Sequence, residues 1–216
     1  ERTVKLLLWC VGGWRVCICG CDALTEALGQ IYRRGGSRAF DADFMETVFE
    51  RPFVLEAVSE RDFPAASGQS RKLGGHLNGC RIGFDAGGSD RKVSAVMDGA
   101  VVYAEEVVWH PKTQADPQYH YREILSAFRT AAARLPRVDA IGVSSAGVFI
   151  GNAPMVSSLF MQVPPARRSA VKSIYDRAAK ALGNVPIVVA NDGDVTALAG
   201  AMSLHDGRVL GLAMGT

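Results

Sequence analysis

The chain has 216 residues, 48% hydrophobic and 21% charged, with a net charge of +2. That is globular composition, long enough for one large domain or two small ones, each with a real core. The charge balance gives no sign of a nucleic-acid partner. No apolar run reaches the roughly 18 residues of a membrane span; the nearest, "VKLLLWCVGGWRVCIC", is cut by Arg15.

Residues 1–58 read as two apolar strands joined at Gly12 and Gly13, then a helix over Asp22–Arg33 capped by Asp22. Leu24, Ala27, Leu28 and Ile31 share one face of that helix, and a shorter helix over 41–50 stops before Pro52. Four of the five cysteines fall at Cys10, Cys17, Cys19 and Cys21, with Cys80 apart. Their spacing lacks the C-x2-C pairs of common zinc sites, and Val16 and Ile18 alternate with Cys17 and Cys19 as in a strand. A structural role is favoured over a metal site. An odd cysteine count without a secretory signal argues for reduced, cytoplasmic thiols.

The stretch "SERDFPAASGQSRKLGGHLNG" is small and polar, as linkers are. The expected organisation is therefore a small α/β region over 1–59, a linker over 60–79, and a second domain over 80–216. In that domain "CRIGFDAGG", "RKVSAVMDG" and "AVVYAEEVVW" read as three strands. Asp98-Gly99 is a two-residue hairpin signal between the last two. A helix follows over Tyr119–Leu135, with Ile124, Leu125, Phe128, Ala132 and Leu135 on one face. "VDAIGVSSAG" is a buried strand, and "ARRSAVKSIYDRAAKALG" a helix facing inward through Val171, Ile174, Tyr175, Ala178 and Leu182. "VPIVVAND" is a strand, "DVTALAGAMSL" a short helix and "RVLGLAMG" a final strand. The order is βββαβαβαβ. An end on an apolar strand entering a glycine turn reads as a piece whose C-terminal part lies beyond Thr216.

"RIGFDAGGSDRKVSAV" is the most informative segment. It has neither G-x4-G-K-[S/T] nor G-x-G-x-x-G, and hairpin chemistry follows it where those motifs need a helix. A phosphate held here would sit in a turn between antiparallel strands, on the N–H groups of Gly87, Gly88 and Ser89. Asp85, at the strand end, could hold Mg²⁺ directly or through its waters. A plain β-turn with a solvated aspartate accounts for the same residues. "SSAG" lacks the frame of a serine-hydrolase elbow, and His76, His110, His120 and His205 are scattered without ligand spacing.

The element order together with "GFDAGGSDRKVSAV" resembles the N-terminal lobe of the actin-like ATPase and sugar-kinase superfamily, and within it the ROK family (repressors, open reading frames, kinases). "AIGVSSAGVFIGNAP" is similar to the family's segment lining the sugar cleft. "VPIVVANDGDVTALAGAM" is similar to its Asn-Asp motif, and "VLGLAMGT" to the strand entering its second phosphate loop. The resemblance covers 80–216. It implies a mixed five-stranded sheet of the ribonuclease H-like, actin type and ATP-dependent phosphoryl transfer to a sugar or amino-sugar hydroxyl.

On that resemblance Asp192 is the candidate base, with helix capping as its alternative and Asp194 the better capping candidate. Asn191, Asn152, Ser145 and Gly147, with Ser144, fall to the sugar. Asp85, Gly87, Gly88, Ser89, Lys92, Gly215 and Thr216 fall to the phosphates, with Mg²⁺ on Asp85 through water. The implied cofactors are ATP and Mg²⁺, and zinc is not assigned. The implied partner is a small sugar, with no nucleic acid and no membrane, and a homodimer left open. Two departures stand out: Ser89-Asp90 replaces the usual threonine after the two glycines, and 1–79 has no counterpart. A non-catalytic sugar or nucleotide sensor, a ROK-type regulator, or an activator ATPase are the competing expectations.

Overall fold

The structure, a computed structural model, describes residues 1–66 and 74–214. The chain divides into two compact units, Glu1–Arg71 and Lys72–Thr216. The expected linker over 60–79 lies partly outside the described residues; within it Glu60–Asp62 forms one 3-10 turn.

In the first unit, helix α1 spans Arg2–Val11, β1 Arg15–Cys19, α2 Asp22–Tyr32, α3 Ala39–Phe49 and β2 Val54–Val58. The expected first strand is therefore a helix. The run "LLLWCV" is continuously apolar, and a short run of that kind is compatible with a buried strand or a helix. Its leucines favour the helix, which turns Val4 and Leu8, one turn apart, toward the core. Gly12 ends it at φ 79, its N–H donating to the Leu8 carbonyl at 3.0 Å.

The strands β1 and β2 pair in parallel from Arg15↔Val54 to Cys19↔Val58, with α2 and α3 in the crossover. Val16, Ile18 and Leu55 pack on Leu8, Leu28, Tyr32, Ala42 and Met45. Cys17 and Cys19 alternate off that core, and all five cysteines are free thiols.

The second unit holds β3 Cys80–Ala86, β4 Asp90–Met97, β5 Ala100–Val108, α4 Pro117–Ala132, β6 Ala140–Ser145, β7 Val148–Ile150 and β8 Ala153–Val156. It continues with α5 Arg168–Lys172, α6 Ile174–Lys180, β9 Ile187–Asn191 and α7 Asp192–Leu204. The main sheet runs β5-β4-β3-β6-β9. β4 is antiparallel to both neighbours, while β3, β6 and β9 are parallel. This mixed five-stranded order, with its second strand reversed, is the sheet that the resemblance of 80–216 implied. Asp98 and Gly99 close the β4–β5 hairpin at φ 50 and 83, the left-handed pair that a two-residue turn demands.

One face of the sheet (Ile82, Phe84, Ala86, Val93, Ala95, Ile141, Val143 and Val189) is buried with Ile124 and Phe128 of α4 and Ile174, Tyr175 and Ala178 of α6. The expected inward faces of both helical stretches hold, but the second stretch breaks into α5 and α6 at Ser173. The hairpin β7–β8, signalled by Gly151-Asn152, was not expected. Nor is the expected final strand present. Residues 208–214 have no ladder partner among the described residues, and a strand without one leaves its backbone unpaired. Leu210, Leu212 and Met214 stay exposed, while Gly211 lies against α7, where a Cβ would come within 2.3 Å of the Gly193 carbonyl.

No helix among the described residues is long and apolar enough to cross a membrane.

Candidate functional site

The parallel strands β3, β6 and β9 end together, and their register aligns two rows of residues. Lys92, Asp85, Ser144 and Ala190 form one row, and Arg91, Ala86, Ser145 and Asn191 the next. Side chains alternate across a sheet, so the second row enters the helix-covered face: Arg91, Ala86 and Ser145 are all buried. The first row faces the other way. Two strand spacings put the Asp85 and Ala190 backbones about 10 Å apart. Beyond these ends lie the turn 87–89, the Gly147 bend and the N-terminus of α7, in the crevice where open α/β sheets bind ligands.

The turn after β3 is held from behind. Trp109, 1% exposed, donates its indole Nε1–H to the Gly87 carbonyl at 2.8 Å and its backbone N–H to the Ser89 carbonyl at 3.1 Å. The N–H groups of Gly87, Gly88 and Ser89 have no acceptor among the described residues. Unpaired amides gathered in one turn suit an anion. Gly87 is required by space rather than by φ: a Cβ there would lie 2.6 Å from the Asp90 carbonyl. Close approach of backbone, not a left-handed conformation, therefore accounts for this glycine.

Asp90, the acid that departs from the family pattern, is paired. Lys92 Nζ binds its Oδ1, and Ser89 Oγ lies 3.2 Å from its Oδ2. The Lys92 ammonium, with Ser89 assisting, holds the Asp90 carboxyl below the usual carboxylate range, and Asp90 in turn raises Lys92. Glu106 stands 3.8 Å from the same ammonium. Lys92, expected on phosphate, is thus already engaged by two acids.

Asp85 is half-buried, and its carboxylate makes no hydrogen bond among the described residues. A lone carboxylate at the lip of the crevice fits Mg²⁺ held through water, the way that ion is most often bound. Among the described residues no group of three acids, histidines or cysteines is assembled for a metal.

On the far side α7 begins at Asp192. Its cap is Asn191, whose Oδ1 accepts from Gly193 N–H at 2.8 Å, which overturns the capping role given to Asp194. The same amide donates through Nδ2 to the Gly147 carbonyl at 2.8 Å, tying α7 to the bend after β6. One donor hydrogen and one lone pair remain for a ligand. Asp192 sits in the first turn, where the helix dipole favours its charge. Its Oδ1 accepts from Gly193 N–H at 3.1 Å, and Oδ2 has no partner among the described residues.

Three residues expected on the sugar are engaged inside the protein. Asn152 donates to Asp176 Oδ1 at 2.8 Å and the Ile187 carbonyl at 3.3 Å, and accepts from Val189 N–H at 3.1 Å. Both its donors are used, stapling the β7–β8 turn to the edge strand β9. Ser145 is 0% exposed and accepts from the buried Tyr175 hydroxyl at 3.1 Å. Burial raises the Tyr175 pKa, so it stays a neutral donor. Gly147 has φ 137, and a Cβ there would lie 2.4 Å from the Val156 carbonyl. Ser144 stays half-buried on the ligand-side row. Gly215 and Thr216 lie outside the described residues.

Trp109 was missed by sequence reasoning; the only signal was an aromatic closing an apolar strand before His110-Pro111. Arg91 was missed as well. Nearly buried, it donates Nε–H to Glu123 of α4 at 3.0 Å, anchoring the start of β4.

No protein-family model matches the chain, and no curated protein matches it. Solved structures do. The chain is similar to the inorganic polyphosphate/ATP-glucomannokinase of an Arthrobacter strain, at 23% identity, 57% coverage of this chain, 48% of that one and TM-score 0.45. It is similar to the ROK hexokinase of Thermus thermophilus, at 19% identity, 60% and 38% coverage and TM-score 0.42. It is also similar to a ROK family transcriptional regulator, a homolog of the E. coli MLC protein, at 19% identity, 59% and 31% coverage and TM-score 0.45. The chain spans less than half the length of each of these proteins.

Proposed function

We propose that the second unit is the phosphate- and acceptor-binding lobe of an ATP-dependent phosphotransferase acting on a sugar or amino-sugar hydroxyl. One observation carries this reading. The register brings the unpaired amides of 87–89, the free carboxylate of Asp85 and the half-free carboxylate of Asp192 to the same end of three parallel strands.

In the proposed reaction Gly87, Gly88 and Ser89 donate N–H groups to phosphate oxygens, where charge is spread during transfer. Asp192 Oδ2 accepts the proton of the attacking hydroxyl. That oxygen forms the new O–P bond as the bridging bond to the β-phosphate breaks and ADP leaves with the electron pair. Asn191 orients a neighbouring hydroxyl with its remaining donor and lone pair. Mg²⁺, when held through water at Asp85, supplies charge neutralisation to the phosphates.

Replacing Asp192 by Asn tests the reading in the full-length protein. A sugar panel assayed with ATP should lose activity by about 10²–10⁴-fold while the melting temperature is kept. Full activity in that variant would remove Asp192 from the base role.

A second reading, a sugar or nucleotide sensor of the regulator type, is favoured by the Asp90–Lys92 pair, which occupies the cation a kinase would place on phosphate. Calorimetry separates them, since sugar binding without ATP turnover supports the sensor.

A further inference from the structure

Resting on the phosphate reading of the turn, we infer that Trp109 is its positioning residue, the group that turns the Gly88 amide outward toward an anion and clamps the far end of the turn at Ser89. A peptide unit has its C=O and N–H on opposite sides, so fixing a carbonyl direction fixes that of the amide attached to it. The Gly87 carbonyl shares its peptide with Gly88 N–H, and the indole holds it at 2.8 Å. Ser89's carbonyl, whose peptide carries the Asp90 N–H, is held by Trp109's own amide at 3.1 Å. One residue therefore grips the turn at both ends from the protein side. The amides left over are those without an acceptor among the described residues.

The grip is itself rigid. Trp109 is 1% exposed, and its ring meets His120 edge-on with centroids 6.4 Å apart. His120 is 0% exposed, with Nε2 3.0 Å from the carbonyls of both Pro111 and Leu159. The indole cannot slide without disturbing that buried ring. Two glycines supply no side chain to fix the turn, so in water its peptides would rotate and their amides would not converge. A bound phosphate would then have to order them at its own cost.

The test follows the backbone amide signals of Gly87, Gly88 and Ser89, and the Trp109 indole N–H, as full-length ¹⁵N-labelled protein is titrated with inorganic pyrophosphate. Two changes are made at 109: Trp109→Phe, and the sulfur isostere of tryptophan that keeps the bicyclic shape but has no N–H. The turn amides and the indole N–H of the unaltered protein should shift together. Both replacements should weaken pyrophosphate about tenfold, the loss of one orienting hydrogen bond. The isostere preserves packing, so its melting temperature should fall by no more than the loss of one buried hydrogen bond entails, whereas a merely structural tryptophan would lower melting and leave affinity unchanged. If Trp109→Phe fails to fold, the isostere decides. Unchanged pyrophosphate affinity in the isostere overturns the role of Trp109 and leaves the phosphate reading standing. Turn amides that ignore pyrophosphate in the unaltered protein overturn that reading and the inference with it.

Discussion

Asp90→Asn is the perturbation that separates the charge of the turn from its shape. The backbone that crowds Gly87 is the Asp90 carbonyl, which the substitution keeps. What changes is that one negative charge leaves the rim and the Lys92 ammonium loses its principal partner. Both side chains are near water, 47% and 25% exposed, so an effective dielectric of about 60 is appropriate. At a separation of about 6 Å, one unit charge then contributes about 1 kcal/mol toward a unit charge on phosphate. Glu106, still 3.8 Å from Lys92, retains part of its charge. The net expectation is up to about 1 kcal/mol, or roughly fivefold tighter binding of ATP at 0.1 M salt. The assay is isothermal calorimetry at low and high salt. The gain should shrink to about twofold at 1 M, where the Debye length falls to ~3 Å. Unchanged or weaker ATP binding would refute the reasoning, because it would mean that Lys92 does not face the bound phosphates.

Two further substitutions test the scaffold. Asn152→Ala removes the staple between the β7–β8 turn and β9 and strands the Val189 N–H; it should cost about 2–3 kcal/mol, read as a fall of roughly 6 °C in melting temperature. No change in melting would return Asn152 to the ligand side. Asp139 is held below the usual carboxylate range by Arg137 first and by the Cys80 N–H second. Its folded pKa is depressed, so its contribution is complete above the unfolded value near 4 and is lost as pH falls through the folded value. Asp139→Asn should therefore narrow the stability difference between neutral and acid pH in urea titrations; parallel losses in the two proteins would contradict the assignment.

The sheet was legible because its strands alternate or run apolar and are punctuated by unambiguous turns. "CRIGFDAGG", "RKVSAVMDG" and "AVVYAEEVVW" fall within a residue or two of β3, β4 and β5, and Asp98-Gly99 closes the hairpin between the last pair. Helix α1 was misread because "LLLWCV" is a short continuous apolar run, which fits a buried strand as well as a helix. The final strand was misread for another reason: strand propensity in "VLGLAMG" is a local property, whereas a strand exists only with a partner.

In the site, sequence order placed Asp85, the turn 87–89 and Asn191–Asp192 at strand ends, and the register aligns those ends. Hydrogen-bond partners were not legible. Asn152 and Ser145 have the chemistry of sugar contacts, but partners distant in the chain, Asp176 and Tyr175, engage them. The partner of Asp90 is Lys92, two residues on along the same strand face, a pairing that the departure at Ser89-Asp90 did not announce.

The most direct measurement is a crystal structure of the full-length protein with Mg²⁺ and a non-hydrolysable ATP analogue. The account predicts phosphate oxygens about 3 Å from the N–H groups of Gly87, Gly88 and Ser89, with Asp85 facing the ion. Nucleotide bound elsewhere, with those amides left to solvent, would contradict it.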